Sequence, residues 1–322
     1  MSSQNCIIYD WLTFTSKIHD LDSMLEFLGF DDSISWQSLK GQNGYRDRLY
    51  YDGVSIHYNG TEDMGVCVSM SGKGCRTFET FGSGDYDYIF SEIIDKYSDY
   101  TDKRAMNITR LDIAYDDFEG VLDLPQIVED VQQGNFVSRF KDWSCTYGNK
   151  GCTVNHGSVR SNIYLRIYDK KIEQERDDLD HWVRCEIQIR GINALGFISL
   201  GMPLNQAYFG VLNNYLRYVV PSDTDTNKRR WETAPHWQRF IDTVASVSIS
   251  KKIASEYDIM KLDHYVYDMS GSAVNAMIEI IGFDRFIEEL HKRQQSKKVN
   301  PKYTALILQF AKINENLIGA AQ

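Results

Sequence analysis

The stretch ITRLDIAYDDFEG, residues 108–120, alternates apolar and polar side chains with a period of two. One side of this segment carries Leu111, Ile113 and Tyr115, and the other carries Arg110, Asp112, Ala114 and Asp116. Successive side chains of a strand point to opposite faces of a sheet. The pattern therefore predicts a strand that gives one row to an apolar core and presents one charged row on the opposite face.

Two further stretches, SNIYLRIYDKK (161–171) and WVRCEIQIR (182–190), repeat this alternation. Their polar rows are Tyr164, Arg166, Tyr168 and Lys170 in the first and Arg184, Glu186, Gln188 and Arg190 in the second. If the three strands are neighbours, one sheet face gathers carboxylates, guanidinium groups and tyrosines. An ordinary solvated face with cross-strand ion pairs is the alternative explanation.

The order of predicted elements repeats along the chain. A strand, a helix and three strands over residues 8–74 are followed by the same order over residues 108–171, which indicates a duplicated β-α-β-β-β unit with repeats at about 8–104 and 105–200. The spacing places VSMSGK over LRIYDK, with Ser71 at the position of Tyr168. We expect an α+β fold in which the two units form a pseudo-two-fold, mostly antiparallel sheet with helices on one face.

The domain organisation follows from a change of pattern near residues 200–245. We expect residues 1–245 to form the duplicated domain and 246–322 to form a mainly helical C-terminal region. The chain has 322 residues, 43% of them hydrophobic and 25% charged, which excludes disordered and fibrous classes. No stretch reaches the roughly 18 apolar residues of a membrane span, and no signal peptide is recognisable. The six cysteines contain no CxxC pair, which favours reduced thiols and a cytoplasmic protein without membrane association.

The charged face offers two kinds of chemistry. Asp112, Asp116 and Glu186, with the small Ala114 between two of them, are a plausible oxygen-ligand set for Mg²⁺ or Mn²⁺. A tyrosine beside cations can become a nucleophile toward phosphorus if its phenolate is favoured. Tyr168 is the candidate, and Tyr164 on the same predicted face is its competitor.

At these residues the sequence resembles a known family. SGKGCRTFE (71–79), ITRLDIAYDDFEG (108–120), GCTVNHGSVRSNIYLRIYDKKIEQE (151–175) and WVRCEIQIR (182–190) are similar, in this order, to motifs of the Rep_trans replication-initiation family. That family comprises rolling-circle initiators of Gram-positive plasmids and relaxases of integrative conjugative elements. The resemblance spans about residues 8–245.

The resemblance implies a site-specific, metal-dependent DNA nicking and joining enzyme that forms a 5′-phosphotyrosyl intermediate. It implies that Tyr168 is the nucleophile, with Arg166 and Lys170 beside it. It also implies that carboxylates hold a Mg²⁺ or Mn²⁺ ion, and Glu186 and Asp112 are the first choices as ligands, followed by Asp116. Arg110, Arg184 and Arg190 would be neighbours of the phosphate. The sequence does not separate three functions within this class, which are plasmid initiator, element relaxase and phage replication protein. A non-catalytic origin-binding or regulatory protein that retains the fold is the alternative outside it.

Two motifs are absent from the sequence. No histidine pair of the His-hydrophobic-His type occurs, which separates the chain from the HUH class of nickases. No GxxxxGK[ST] loop occurs, so the sequence shows no ATPase motor and we expect an external host helicase. The resemblance also implies a homodimer. The substrate is expected to be origin or transfer-origin DNA that is single-stranded or extruded as a hairpin at the nick.

Basic residues outside the polar rows are the candidate DNA contacts, although charged loops are usually only solvated. They are Arg160, Lys171, Lys228, Arg229, Arg230, Lys292, Arg293, Lys297 and Lys298. Tyr86, Tyr88, Tyr97 and Tyr100 are candidate base-stacking residues, each of them equally compatible with core packing. The formal net charge of −10 predicts weak, salt-sensitive non-specific binding and reliance on a particular DNA structure.

Overall fold

The fold is described from a computed structural model, which describes residues 5–32, 34–61, 63–97, 105–149, 151–241 and 271–295. The chain divides into two compact units, Met1–Ser250 and Lys251–Gln322. Within the described residues no helix combines the length and the apolar character that crossing a membrane requires.

The first unit contains two successive sets of elements. The first set is β1 (Cys6–Ser16), α1 (Leu21–Leu28), β2 (Gln37–Lys40), β3 (Asp47–Tyr51), β4 (Val54–Tyr58), β5 (Val66–Met70), α2 (Gly72–Phe81) and α3 (Tyr86–Tyr97). The second set is β6 (Met106–Asp117), α4 (Leu124–Gln133), β7 (Phe136–Ser138), β8 (Trp143–Gly148), β9 (Gly151–His156), β10 (Ile163–Asp169), α5 (Lys170–Glu173), β11 (Val183–Arg190), α6 (Ile192–Ile198) and α7 (Leu204–Tyr215). The unit continues with β12 (Leu216–Tyr218), a 3₁₀ turn (Lys228–Arg230) and α8 (Pro235–Ile241).

Ten strands form one sheet in the order β2-β3-β4-β5-β1-β6-β11-β10-β9-β8, and its described pairings are antiparallel. The order is symmetric about the β1–β6 pair, so each repeat supplies five strands in the same relative positions. The α+β class and the mostly antiparallel sheet are confirmed. Strands β7 and β12 form a separate two-stranded sheet.

The predicted superposition of the repeats is wrong by one strand. In the symmetric order β5 corresponds to β11 and β4 corresponds to β10, so Ser71 does not occupy the position of Tyr168. Sequence spacing missed this because β2, with the sequence QSLK, is exposed at all four residues and shows no alternation. Ser71 instead caps α2, where its side chain accepts from the Gly74 amide.

The helices pack on the apolar rows of the central strands. Ring centroid distances are 6.4 Å for Phe27 and Phe14, 4.4 Å for Tyr86 and Tyr9, and 6.5 Å for Tyr208 and Tyr115. The helices α1 and α4 begin at aspartate caps and end at Gly29 and Gly134, both in the left-handed region with φ of 72°. The polar rows therefore lie on the face of the sheet opposite these helices.

The second unit is described through α9 (Gly271–Ile281) and α10 (Phe283–Gln295), which Gly282 joins with φ of 83°. The proposed boundary between 245 and 246 falls outside the described residues and stays a prediction.

Candidate active site

The three polar rows meet because β6, β11 and β10 are consecutive in the sheet. Two cross-strand rows contain most of the site, and they are Asp116–Arg184–Tyr168 and Ala114–Glu186–Arg166. Directly opposed residues have Cβ atoms about 4.5–5.5 Å apart. Residues from three separate segments of the chain thus form one polar cluster.

Tyr168 lies at the centre of this cluster and is 6% exposed. Its hydroxyl donates to Glu186 Oε2 at 3.1 Å. Arg166 and Lys170 lie beside the ring, with the guanidinium carbon and the ammonium nitrogen 5.6 and 5.5 Å from its centroid. The phenol therefore has a carboxylate within hydrogen-bond reach and cations beside the ring.

Burial outweighs the stabilisation of the Tyr168 phenolate that these cations were expected to give. Burial raises the pKa of Tyr168 far above its ordinary value, and Glu186 raises it further, whereas Arg184 and Arg166 lower it. The hydroxyl is protonated at neutral pH, and reaction at its oxygen requires a group that accepts the proton.

Tyr164, the competing tyrosine, is 7% exposed and lies opposite Gln188 on β11. Its hydroxyl donates to Asn155 Oδ1 at 2.5 Å. Tyr164 is therefore bound to a neutral amide, whereas Tyr168 is bound to a carboxylate.

Glu186 and Asp112 are both 1% exposed and each forms an ion pair with an arginine. Arg166 binds Glu186 Oε1, and Arg110 binds Asp112 through Nε at 2.9 Å and Nη2 at 2.5 Å. Burial raises the pKa of Asp112 to about 7; Arg110 lowers it and Glu186 raises it again. The two buried carboxylates therefore repel each other even with their arginines in place.

Asp116 has different surroundings. Its carboxylate accepts from Arg184 Nε and Nη2 and from Trp182 Nε1, each at 2.7 Å. Asp116 therefore accepts three N–H bonds, whereas Asp112 and Glu186 each accept two hydrogen bonds, and it holds Arg184 in place.

Sequence reasoning missed Asp10. Arg184 Nη1 donates to Asp10 Oδ1 at 2.7 Å, so the first repeat also contributes a carboxylate to the cluster. The β1–β6 register shifts between Tyr9 and Trp11, and this β-bulge leaves Asp10 unpaired and turns it toward the polar face. Asp10 is the charged member of an otherwise apolar row, Ile8-x-Asp10-x-Leu12-x-Phe14, and this anomaly was the available signal.

The donor set fits a divalent cation at two carboxylates. Mg²⁺ is usually bound through one or two carboxylates and keeps several waters, and Asp112 and Glu186 are two buried carboxylates that repel each other. Within the described ranges no group of three His, Cys, Asp or Glu side chains is arranged to hold a metal. Asp112 and Glu186 fit the ion best, and Asp116 as a further ligand stays a prediction.

The remaining residues of the polar rows lie at the margins. Lys170 begins α5 and pairs with Glu173. Arg190 lies directly opposite Arg110, two residue positions along β11 from Gln188, and its Nε is buried without a hydrogen-bond partner.

The candidate DNA contacts lie outside this cluster. Arg160 is exposed in the turn before β10, and Lys171 is half-buried in α5. In the 3₁₀ turn, Lys228 donates to the Gly134 carbonyl at 2.6 Å and Arg230 forms an ion pair with Asp225. Arg229, between these two residues, is exposed.

Lys292 and Arg293 are exposed at the end of α10, in the second unit. Lys297, Lys298 and Tyr100 lie outside the described residues. Tyr86 is buried against Tyr9, whereas Tyr88 is 47% exposed.

Comparison with known proteins assigns the class. The family described as Replication initiation factor (Rep_trans) matches residues 106–292, more than half of the chain, and the Rolling Circle replication initiation protein N-terminal domain matches residues 5–91. The chain belongs to the Rep_trans family of replication initiation factors.

Two relatives extend this assignment. The chain is 26% identical over 266 residues to the putative DNA relaxase NicK of Bacillus subtilis (strain 168), covering 77% of this chain and 74% of the relative. It is also similar to the solved structure of the rolling circle replication initiator protein from Geobacillus stearothermophilus, with 30% identity, a TM-score of 0.67, and coverage of 74% of this chain and 96% of that one.

Proposed function

We propose that this protein is a site-specific DNA nicking and joining enzyme that initiates rolling-circle replication or conjugative transfer, with Tyr168 as the nucleophile. The observation that carries the proposal is the bond from the buried Tyr168 hydroxyl to Glu186. Membership of a replication-initiation family and similarity to a relaxase and a rolling-circle initiator support the class of reaction.

The first step is an attack of the Tyr168 oxygen on the scissile phosphorus. Glu186 takes the phenolic proton as the new O–P bond forms, which is general base catalysis by a group already within hydrogen-bond distance. The bond from phosphorus to the 3′ oxygen breaks, and that oxygen leaves with the bonding electrons. Lys170 supplies the proton that completes the free 3′-OH, and the 5′-phosphate stays on Tyr168.

The arginines stabilise the charge that develops on the phosphate. Arg166 lies beside the Tyr168 ring, and Arg184 lies directly opposite Tyr168 on β11. Arg184 is fixed by Asp116 and Asp10, so it is oriented before the substrate arrives. Rejoining reverses the step, with the 3′-OH as the attacking group.

Asp112 and Glu186 would hold a Mg²⁺ or Mn²⁺ ion, which when bound polarises a non-bridging oxygen of the scissile phosphate.

The substrate and partners follow from the same proposal. The buried position of Tyr168 requires a strand that leaves the base stack, so origin or transfer-origin DNA is bound single-stranded or as an extruded hairpin. A host helicase and a homodimer complete the proposed assembly, which acts in the cytoplasm.

The test is nicking of supercoiled DNA that contains the origin, in Mn²⁺ or Mg²⁺, with the covalent protein–DNA adduct measured on a denaturing gel. Tyr168→Phe is expected to abolish the adduct, and Tyr164→Phe, the matched loss of a hydroxyl on the same face, is expected to retain it. An adduct formed equally well by Tyr168→Phe would overturn the assignment. A wild-type protein that binds origin DNA but never nicks it would favour the non-catalytic origin-binding alternative.

A further inference from the structure

A line of directly paired residues crosses the polar face from the catalytic half into the first repeat. We call it the cross-repeat row, and it consists of Arg190, Arg110, Thr13, Ser69, Ser55, Tyr50 and Gln37, on the consecutive strands β11, β6, β1, β5, β4, β3 and β2. Its members are half-buried or exposed. The row runs beside the catalytic cluster, because Arg110 binds Asp112.

The composition of the cross-repeat row suits a polyanion. It contains two arginines, four residues with a hydroxyl group and no carboxylate, in a chain with 45 acidic residues. Thr13 and Ser69 present their hydroxyl oxygens to each other at 3.1 Å. Hydroxyl groups and arginines are common donors to phosphate oxygens.

Two arginines on this face form no ion pair within the described part of the chain. The Nε atoms of Arg190 and of Arg48, which lies two residues from Tyr50 on β3, are buried without a hydrogen bond. Among the described residues neither side chain forms an ion pair, whereas Arg110, Arg166 and Arg184 each bind a carboxylate. Arg190 and Arg110 also lie directly opposite each other. Like charges in this position are unfavourable, and Asp112 pairs with Arg110 alone.

Aromatic rings lie at two places along the row. At its far end the Arg48 guanidinium lies 5.7 Å from the Tyr50 ring centroid, and nearer the catalytic cluster Arg110 lies 4.1 Å from the ring centroid of Trp11, on the neighbouring row. Aromatic rings and guanidinium planes stack on exposed bases. With strands about 4.8 Å apart, Arg190 and Tyr50 are separated by five strand steps, or about 24 Å, which is the length of several nucleotides.

We infer that the cross-repeat row binds single-stranded DNA that flanks the scissile phosphate. This inference rests on the proposed function and deepens it, because it gives the first repeat a role in holding the substrate. A single strand is favoured over a duplex because base edges of a duplex are read by elements that enter a groove, whereas an open sheet face with aromatic rings binds unstacked bases.

The test is binding of a fluorescein-labelled dT20 oligonucleotide to full-length protein by fluorescence anisotropy at low salt. Measurements are made in the Tyr168→Phe background, so that no result depends on nicking. Ser69→Asp places a carboxylate at the centre of the row and is expected to weaken binding about fivefold or more. Ser91→Asp, on α3 at the opposite face of the sheet, changes the net charge by the same amount and is expected to weaken binding less than twofold.

A second pair of variants guards against misfolding of Ser69→Asp. Tyr50→Ala is expected to weaken dT20 binding about fivefold or more through lost base stacking, and Tyr147→Ala is expected to leave it unchanged, because Tyr147 is an exposed tyrosine on β8 whose hydroxyl accepts from Gln132 of α4. Equal affinities within both pairs, or a parent protein that does not bind dT20, would overturn the inference. The nicking assay of Tyr168→Phe decides the proposed function separately, because a failure there leaves these affinities unaffected.

Discussion

The bond between Arg184 and Asp10 joins the two repeats, and its removal is the most informative perturbation of stability. Arg184 is 5% exposed, and its bidentate bond to Asp116 uses Nε and Nη2, not the Nη1 that binds Asp10. A hydrogen bond to a charged group contributes about 1.5–3 kcal/mol. Burial raises the pKa of Asp10 more than Arg184 lowers it, so the expected loss comes from leaving the buried Arg184 Nη1 without its acceptor, which costs about 1–3 kcal/mol. We expect Asp10→Ala to lower the free energy of unfolding by about 2 kcal/mol.

The matched control is Asp178→Ala. Asp178 also accepts from an arginine, Arg176, through two bonds of 2.6 Å each, but both side chains are exposed. Exposed pairs contribute about 0–1 kcal/mol. Urea unfolding followed by tryptophan fluorescence measures both variants, and thermal unfolding should show Asp10→Ala about 4–8 °C below wild type. If the two variants lose the same stability, the bond across the repeats does not hold Arg184 as we argue.

Two further predictions concern the carboxylates. The pKa of Asp112 is raised from 3.8 to about 7, so the folded state loses stability as the pH rises from about 4 to about 7. In EDTA the stability of Asp112→Asn relative to wild type should therefore increase between pH 5 and pH 8 by about 3 kcal/mol at most, because about two pH units of that range lie below the folded pKa. An unchanged difference in urea titrations would contradict the assignment, and added Mn²⁺ should raise the Tm of wild type more than that of the variant. Glu186→Gln removes the proposed base and should slow single-turnover nicking about 10²–10⁴-fold while dT20 affinity stays within twofold; a normal rate would exclude Glu186 as the base.

The sequence predicted the polar face because a strand has a strict two-residue period. Arg166, Tyr168 and Glu186 are brought together as the alternation predicted, and the match is good because β10 and β11 are regular over their paired length. Alternation could not show how the carboxylates are partnered. Each one is bound by a different arginine, which depends on register across strands far apart in the chain.

Local departures from regular structure account for the remaining errors. The β-bulge at Asp10 reverses the side-chain direction that a strict period gives. The protonated state of Tyr168 depends on burial, which residue order does not report. The exposed strand β2 carries no periodic pattern, and its omission shifted the comparison of the two repeats by one strand.

The central claim is that Tyr168 becomes covalently linked to DNA, and trypsin provides a direct measurement. Cleavage after Arg160, Arg166 and Lys170 separates the two tyrosines of β10 into the peptides SNIYLR, which contains Tyr164, and IYDK, which contains Tyr168. Wild-type protein is incubated with origin DNA and Mn²⁺, digested with nuclease and trypsin, and examined by mass spectrometry. We predict a nucleotide adduct on IYDK, and an adduct on SNIYLR or on any other peptide would contradict the account.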